Sequence, residues 1–350
     1  MSKTIIGVIG CGSISNIYLK NLTSVFDNIY VKAVCDLDAD KTEKAVEKFG
    51  IEKICSFDEM LADKDITIIV NLTTPKSHYS ICKKALESGK HVYVEKPLCV
   101  EFDEGVELVK IADEKGLLIG AAPDTFLGAG IQTCIELIKD GQIGEPTSAT
   151  AFMMCPGHES WHPDPEFYYE KGGGPMFDMG PYYLTALVNM LGPVKSVAGM
   201  TGKALEERTI TSKNKYGKKV KVEVPTHVNG ILKFKSGVIG NIITSFDIWG
   251  HNMPRIEVHG TKGSLSVPDP NAFGGPVKLK SMREDWADID ITLPFAENSR
   301  GLGVSDMADA ISEGRINKAN GKIALHVLEL MHGFHWAAET GKNYDLTTTF

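Results

Sequence analysis

Glu95-Lys96-Pro97 follows a short apolar run, His91-Val92-Tyr93-Val94, so a buried strand ends on an acid and an amine. In an open parallel sheet, ligands collect outside the carboxyl ends of the strands. A lysine held there, partly out of water, can lose enough basicity to pass protons. Pro97 stiffens the turn that aims Lys96. Taken alone, the tripeptide reads more simply as a surface ion pair. Two further groups give it a context. Gly10-Cys11-Gly12-Ser13-Ile14-Ser15 is a G-x-G-x-x-G pattern with serine in the third glycine's place. Gly10 permits a tight turn, Gly12 lets backbone approach a pyrophosphate, and Ser15 is small enough for close helix–strand packing. Asp36 ends the next strand, where a carboxylate accepts ribose hydroxyls and repels a 2′-phosphate, so the pattern predicts NAD over NADP. Asp178 and Tyr182, four apart, share one face if that stretch is helical.

The elements that would position these groups alternate. Strands are predicted at 4–9, 29–35, 65–72, 91–94 and 117–121. Helices are predicted at 14–24, 39–49, 77–88 and 101–115. This order gives a doubly wound parallel sheet. Past residue 123 the pattern changes to a helix over 128–140 and then many alternating runs, at 147–155, 193–201, 218–224, 227–235, 238–248, 255–259, 264–267 and 276–281. These predict an α+β domain with a large, mostly antiparallel open sheet. The expected domains are 1–123 and 124–350.

Composition sets outer bounds. The chain has 350 residues, 43% hydrophobic and 23% charged, with a net charge of −8. That length suggests two domains. The negative charge argues against general nucleic-acid binding and against anionic membrane surfaces. No apolar run approaches the roughly 20 residues of a membrane span. The seven cysteines contain no C-x-x-C pair. They read as small buried thiols of a cytoplasmic protein, not a disulfide framework or zinc site. His158-Glu159-Ser160-Trp161-His162 spells H-E-x-x-H, but prolines flank it on both sides and no helical period surrounds it, so no metal site is expected. The stretch reads instead as a loop, with Trp161 offering an apolar face and His158 and His162 offering hydrogen bonds.

Gly10-Cys11-Gly12, Asp36, Thr73-Thr74-Pro75 with His78, and Glu95-Lys96-Pro97 come in an order that resembles the Gfo/Idh/MocA oxidoreductases. Gly172-Gly173-Gly174-Pro175-Met176-Phe177-Asp178-Met179-Gly180-Pro181-Tyr182, Arg300-Gly301-Leu302-Gly303 and His326-Val327-Leu328-Glu329 extend the resemblance over nearly the whole chain. The resemblance implies a Rossmann domain holding NAD through Gly10, Gly12, Ser13, Ile14, Asp36, Thr73, Thr74, Pro75, His78, Glu95 and Lys96. His78 also has a plainer reading, as a residue packed or capping at a helix start. Asp178, Tyr182, Asp124, His158, Trp161 and His162 would meet the substrate, with Lys96, Asp178 and Tyr182 catalytic. The family usually has histidine where Tyr182 stands. A phenol is a poorer free base, which moves proton transfer toward Lys96. Asp124 stands where Asn or Arg is frequent in the family, and its charge points to a neutral polyhydroxy substrate.

The implied activity is hydride transfer between NAD and a secondary alcohol of a neutral sugar, glycoside or cyclitol. The protein is expected to be a homodimer or homotetramer built through the sheet of its second domain. An NAD-dependent glycoside-cleaving enzyme and a non-enzymatic sensor are the alternatives.

Overall fold

In the computed structural model, which describes residues 3–350, the apolar runs of the N-terminal segment form one six-stranded parallel sheet. Its strands are β1 (Thr4–Ile9), β2 (Ile29–Cys35), β3 (Lys53–Ile54), β4 (Ile68–Asn71), β5 (His91–Val94) and β6 (Ile119–Ala121). They lie in the order β3-β2-β1-β4-β5-β6, which reverses direction between β1 and β4. The helices α1 (Ser15–Ser24), α2 (Ala39–Phe49), α3 (Phe57–Ala62), α4 (Pro75–Glu87) and α5 (Phe102–Lys115) alternate with these strands. β4 is buried at every residue, as expected of a strand covered on both faces. The sequence signals are local. Pro75 opens α4, where its missing N–H costs nothing. Gly50 and Gly116 stop α2 and α5 in left-handed conformations.

The rest of the chain supplies α6 (Ala129–Lys139) and α7 (Gly174–Leu191), then α8 (Leu302–Glu313) and α9 (Gly321–Thr340). Its strands are β7 (Pro146–Met154), β8 (Val194–Gly202), β9 (Glu207–Thr209), β10 (Lys219–Lys221), β11 (His227–Phe234), β12 (Ile239–Ser245), β13 (Ile256–Gly260), β14 (Gly263–Val267), β15 (Val277–Ser281), β16 (Ala287–Ile289) and β17 (Tyr344–Asp345). Nine of them form a second sheet in the order β16-β15-β14-β13-β7-β12-β11-β8-β17. Every pairing in it is antiparallel except β7 with β12. The expected strand at 218–224 is shorter and lies elsewhere. Among the described residues β10 pairs only with β9, in a separate ribbon that buries Val220 and Arg208 and exposes Lys219 and Lys221.

Helix α7 is apolar nearly all round, so it lies buried against the inner face of β7, β11 and β12. Val228, Leu232 and Phe234 of β11 point to the same side, while Asn229, Ile231 and Lys233 point away. On this outer face Met200, Ile231 and Ile239 are more than half exposed.

The chain divides into two compact units whose bounds differ from the expected 1–123 and 124–350. One unit runs to Leu127 and regains Asn298–Leu328; the other holds Gly128–Glu297 and Glu329–Phe350. The return has a physical cause. Ala121 donates to Ala319 (3.2 Å) and Gly120 bridges Asn320, so residues 319–320 extend the edge beyond β6. Gly301 and Gly303 at the start of α8 both donate to Asp124 Oδ2, at 2.8 and 3.0 Å.

Asp124, expected at the substrate, is in this structure the acceptor for both of these amides. It is 1% exposed and its carboxylate serves as an anchor for α8. Burial pushes its pKa up to about 6, against the two amide donors. A carboxyl raised in this way binds its proton more tightly in the folded chain. The resulting stabilisation is complete below about pH 4 and is lost as pH rises through about 6. Asp124→Asn keeps an acceptor for both amides without the charge. The stability difference between variant and parent should therefore change by up to about 3 kcal/mol between pH 4 and 7. Urea midpoints across that range measure it; parallel curves would disprove the assignment.

Among the described residues, no helix is long and apolar enough to cross a membrane.

Candidate functional site

The predicted site residues fall into two groups, one in each unit. In the first unit, Gly10 stands where β1 gives way to the turn, with φ +95°. A Cβ there would lie 2.6 Å from the Leu72 carbonyl carbon and 2.8 Å from the Thr73 nitrogen, so only glycine fits. Gly12 differs, because a Cβ there would meet no protein atom within 4 Å. Ser15 is buried and donates to Gly12 O at 2.7 Å, closing the turn onto α1. Asp36 Oδ2 accepts from Cys11 N at 2.6 Å, and Oδ1 accepts from Asp38 N at 2.9 Å. The carboxylate thus ties the end of β2 to the glycine turn. Burial, together with the Asp36 charge, pushes the Cys11 thiol up to about 12, so it stays a neutral packing group. All seven cysteines are free.

Thr73, Thr74 and Pro75 lead from β4 into α4. Asn71, fully buried, accepts from Thr73 N (3.2 Å) and Thr73 Oγ1 (2.7 Å), which fixes this turn. His78 lies in the first turn of α4. It is wholly buried, with Nδ1 2.7 Å from Pro97 O and Nε2 3.1 Å from Thr73 O. Burial pushes its pKa below the ordinary imidazole value, against the pull of the two carbonyls. The plainer reading of His78 as a packed residue is the one observed.

Lys96 is half-buried at the end of β5, and the Lys96–Pro97 bond is cis. Its turn is braced on both sides. Glu95, 7% exposed, accepts from Lys96 N (2.8 Å) on one oxygen and from Tyr18 Oη of α1 (2.8 Å) on the other. Beyond it, the Pro97 carbonyl meets His78. Tyr18 therefore links the helix behind the glycine turn to the lysine's own backbone, a connection between residues 77 apart that no sequence pattern signals.

The glycine turn, the open space at Gly12, the carboxylate ending β2 and the turn after β4 suit a dinucleotide. Gly10, Gly12, Ser13, Ile14 and Asp36 would hold its adenosine and pyrophosphate. Thr73, Thr74 and Pro75 would line its nicotinamide side.

In the second unit, β7 runs into a loop that turns at Gly157, φ +96°. His158-Glu159-Ser160-Trp161-His162 is not helical, so its two imidazoles are not presented from one helix face. The loop instead delivers His158 to Asp178, with Nε2 3.2 Å from Oδ2 and both side chains largely buried. His158 sits among rings: Trp161 at 5.2 Å, Tyr168 at 4.4 Å and Phe246 at 4.7 Å between centroids. Trp161 is 61% exposed and offers its face outward. His162 Nδ1 accepts from Asp164 N at 3.0 Å, and burial pushes its pKa down. Gly174 and Pro175 start α7, which carries Asp178 and, one turn on, buried Tyr182. Sequence reasoning missed Arg208, Asp247 and Phe246, which surround the loop from far along the chain.

Taken together, the nucleotide-type sheet and the lysine-bearing turn define the first unit as the NAD-binding half of an oxidoreductase. Comparison with known proteins agrees. Residues 5–122 match the oxidoreductase family with an NAD-binding Rossmann fold, and residues 131–266 match the GFO/IDH/MocA C-terminal domain. The chain belongs to the Gfo/Idh/MocA family of oxidoreductases. It is 28% identical over 331 residues to dTDP-3,4-didehydro-2,6-dideoxy-alpha-D-glucose 3-reductase of Saccharopolyspora spinosa, covering 88% of this chain and 92% of that one. It is 26% identical over 262 residues to myo-inositol 2-dehydrogenase of Thermotoga maritima, covering 74% of each. In fold it is similar to the aldose-aldose oxidoreductase of Caulobacter crescentus, crystallised with glycerol. That match has a TM-score of 0.84 at 20% identity, over 98% of this chain and 100% of the other.

Proposed function

We propose that this protein is an NAD-dependent dehydrogenase acting on a secondary alcohol of a neutral sugar, glycoside or cyclitol. The observation that carries the reading is Lys96. It ends β5 in the same unit as the glycine turn, with its backbone fixed by Glu95 before it and by His78 after it. When bound, NAD supplies the hydride acceptor, or in the reverse direction NADH the donor. Lys96 takes the hydroxyl proton during oxidation and returns it during reduction. Tyr182 assists as a hydroxyl donor, and Asp178 orients the substrate hydroxyl. His158, His162 and Trp161 provide hydrogen bonds and an apolar face of the kind a sugar ring stacks on.

The preference for a neutral substrate no longer rests on Asp124. Its support is the pairing of cations around the loop. Arg208 meets Glu159 and Asp247, Lys215 meets Asp164 and Glu166, and Lys218 meets Glu166. Each is already matched by a carboxylate, which leaves these three poorly suited to a nucleotide-sugar diphosphate. The preference for NAD over NADP rests on Asp36, which would repel a 2′-phosphate. A homo-oligomer assembled through the outer face of the nine-stranded sheet is part of the same reading, supported by exposed Met200, Ile231 and Ile239. A cytoplasmic location is in keeping with seven free thiols.

Absorbance at the NADH band, with a panel of neutral sugars, cyclitols, glycosides and TDP-sugars, tests the proposal. NADH should form with a neutral member, and kcat/KM should favour NAD over NADP at least about tenfold. Turnover confined to TDP-sugars would overturn the substrate class. Release of reducing sugar from glycosides without net NADH would replace dehydrogenation by glycoside cleavage. Silence across the panel, with NAD still bound, would favour a sensor.

A further inference from the structure

Arg208, on β9, is 6% exposed, and its guanidinium lies between two backbone segments. On one side Nη1 donates to Pro156 O (3.0 Å) and to Glu159 Oε1 (2.8 Å). On the other, Nη2 donates to Phe246 O (2.8 Å) and pairs with the Asp247 carboxylate. The Tyr169 ring lies 5.2 Å beneath it. The first segment carries His158. The second carries Phe246, the ring against which His158 packs. One side chain therefore fixes both the backbone that presents the imidazole and the surface that supports it. The Glu159 carbonyl accepts from Thr211 N (3.0 Å) and Ser212 N (2.7 Å), closing the clamp from the strand side. A buried ion pair is a weak source of stability compared with apolar packing of the same volume, so a role in position is the better account of it. The planar fork, reaching two carboxylates and two carbonyls at once, cannot be reproduced by an ammonium.

We infer that Arg208 and Glu159 are positioning residues that hold His158 against Asp178. The glutamate of the H-E-x-x-H sequence is then the loop's anchor and not the base of a metal site. The functional part of this inference rests on the proposed substrate-binding roles of His158 and Asp178; the positional part does not.

The test uses the full-length protein labelled with ¹⁵N-histidine. The imidazole ¹H–¹⁵N correlation of His158 is identified by its loss in His158→Gln. It should move or broaden in Arg208→Met and Glu159→Gln, and stay in place in Lys215→Met, which breaks only the loop's outer ion pairs. With a turned-over sugar, Arg208→Met should lower kcat/KM about tenfold to a hundredfold, in line with the cost of small misplacements. In a His158→Gln background the same substitution should cost less than about threefold, because coupled residues are not additive. A purely structural arginine predicts equal losses in both backgrounds. An unmoved His158 signal in folded Arg208→Met, or a full loss in the His158→Gln background, overturns the inference. If Arg208→Met does not fold, Glu159→Gln and Arg208→Lys carry the same readouts. Absence of dehydrogenase activity would remove the proposed function but leave the imidazole measurement decisive for the clamp.

Discussion

Replacing Lys96 by methionine should lower kcat by roughly 10²–10⁴-fold, the range that a positioned proton-transfer group supplies. NAD affinity should stay within a few-fold of the parent. Methionine keeps the unbranched stem, so the half-buried part of the side chain remains filled. Two contacts that fix the turn fall on its backbone. Glu95 accepts from the Lys96 amide, the Pro97 carbonyl meets His78, and neither contact uses the amine. The glycine turn and Asp36 follow β1 and β2, and they reach the Lys96 turn through the sheet and through the Tyr18–Glu95 hydrogen bond, neither of which involves the amine. Chemistry and cofactor binding are therefore expected to separate in this variant. Steady-state rates and NAD titration by fluorescence measure the two. Near-normal turnover would end the assignment of Lys96 as the acid/base. A parallel loss of NAD affinity would make Lys96 a cofactor ligand in the first place.

Five of the six N-terminal strands are legible because each signal is local; the two-residue β3 and the short α3 after it are not anticipated. A continuous apolar strand, a glycine turn and a helix stop all lie within a few residues of what they specify. The other misses share the opposite property. Arg300-Gly301-Leu302-Gly303 is legible as a family match but not as the start of a helix, and the anchor of that helix, Asp124, lies 177 residues from Gly301. Asp124 is placed at the substrate by the family resemblance, because it stands where Asn or Arg is frequent. Nothing nearby in sequence announces the two amides that occupy it. The strand at 218–224 was recognised by its alternation, but alternation does not name a partner, and among the described residues β10 pairs with β9 alone. The candidate site residues of the second unit behave likewise. The spacing of Asp178 and Tyr182 was readable from one helix, whereas the His158–Asp178 contact depends on a loop folding back 20 residues. The buried Arg208 that clamps this loop is 49 residues from Glu159.

Gly10 and Gly12 should separate folding from cofactor binding, although they look equivalent in the motif. At Gly10 a side chain is excluded twice. Its φ of +95° disfavours any L-residue, and a Cβ would strike the backbone of Leu72 and Thr73, which cannot swing away as a side chain could. Leu72 is also tied to Ile9 by a 2.7 Å hydrogen bond, so relief would prise apart the ends of β1 and β4. Left-handed backbone costs about 1–2 kcal/mol and overpacking about 1–3 kcal/mol, so Gly10→Ala should lose about 2–5 kcal/mol of stability. Gly12→Ala meets open space within the protein and should melt within a degree or two of the parent without ligand. A pyrophosphate approaching that backbone would meet the new methyl, so the same variant should lose most of the NAD-induced rise in Tm. Thermal melts of both variants, with and without NAD, give the four numbers required. An unchanged NAD shift in Gly12→Ala would place the pyrophosphate elsewhere than on this turn. A Gly10→Ala protein as stable as the parent would mean that β1 and β4 can part at their ends without cost, contrary to the packing at Leu72.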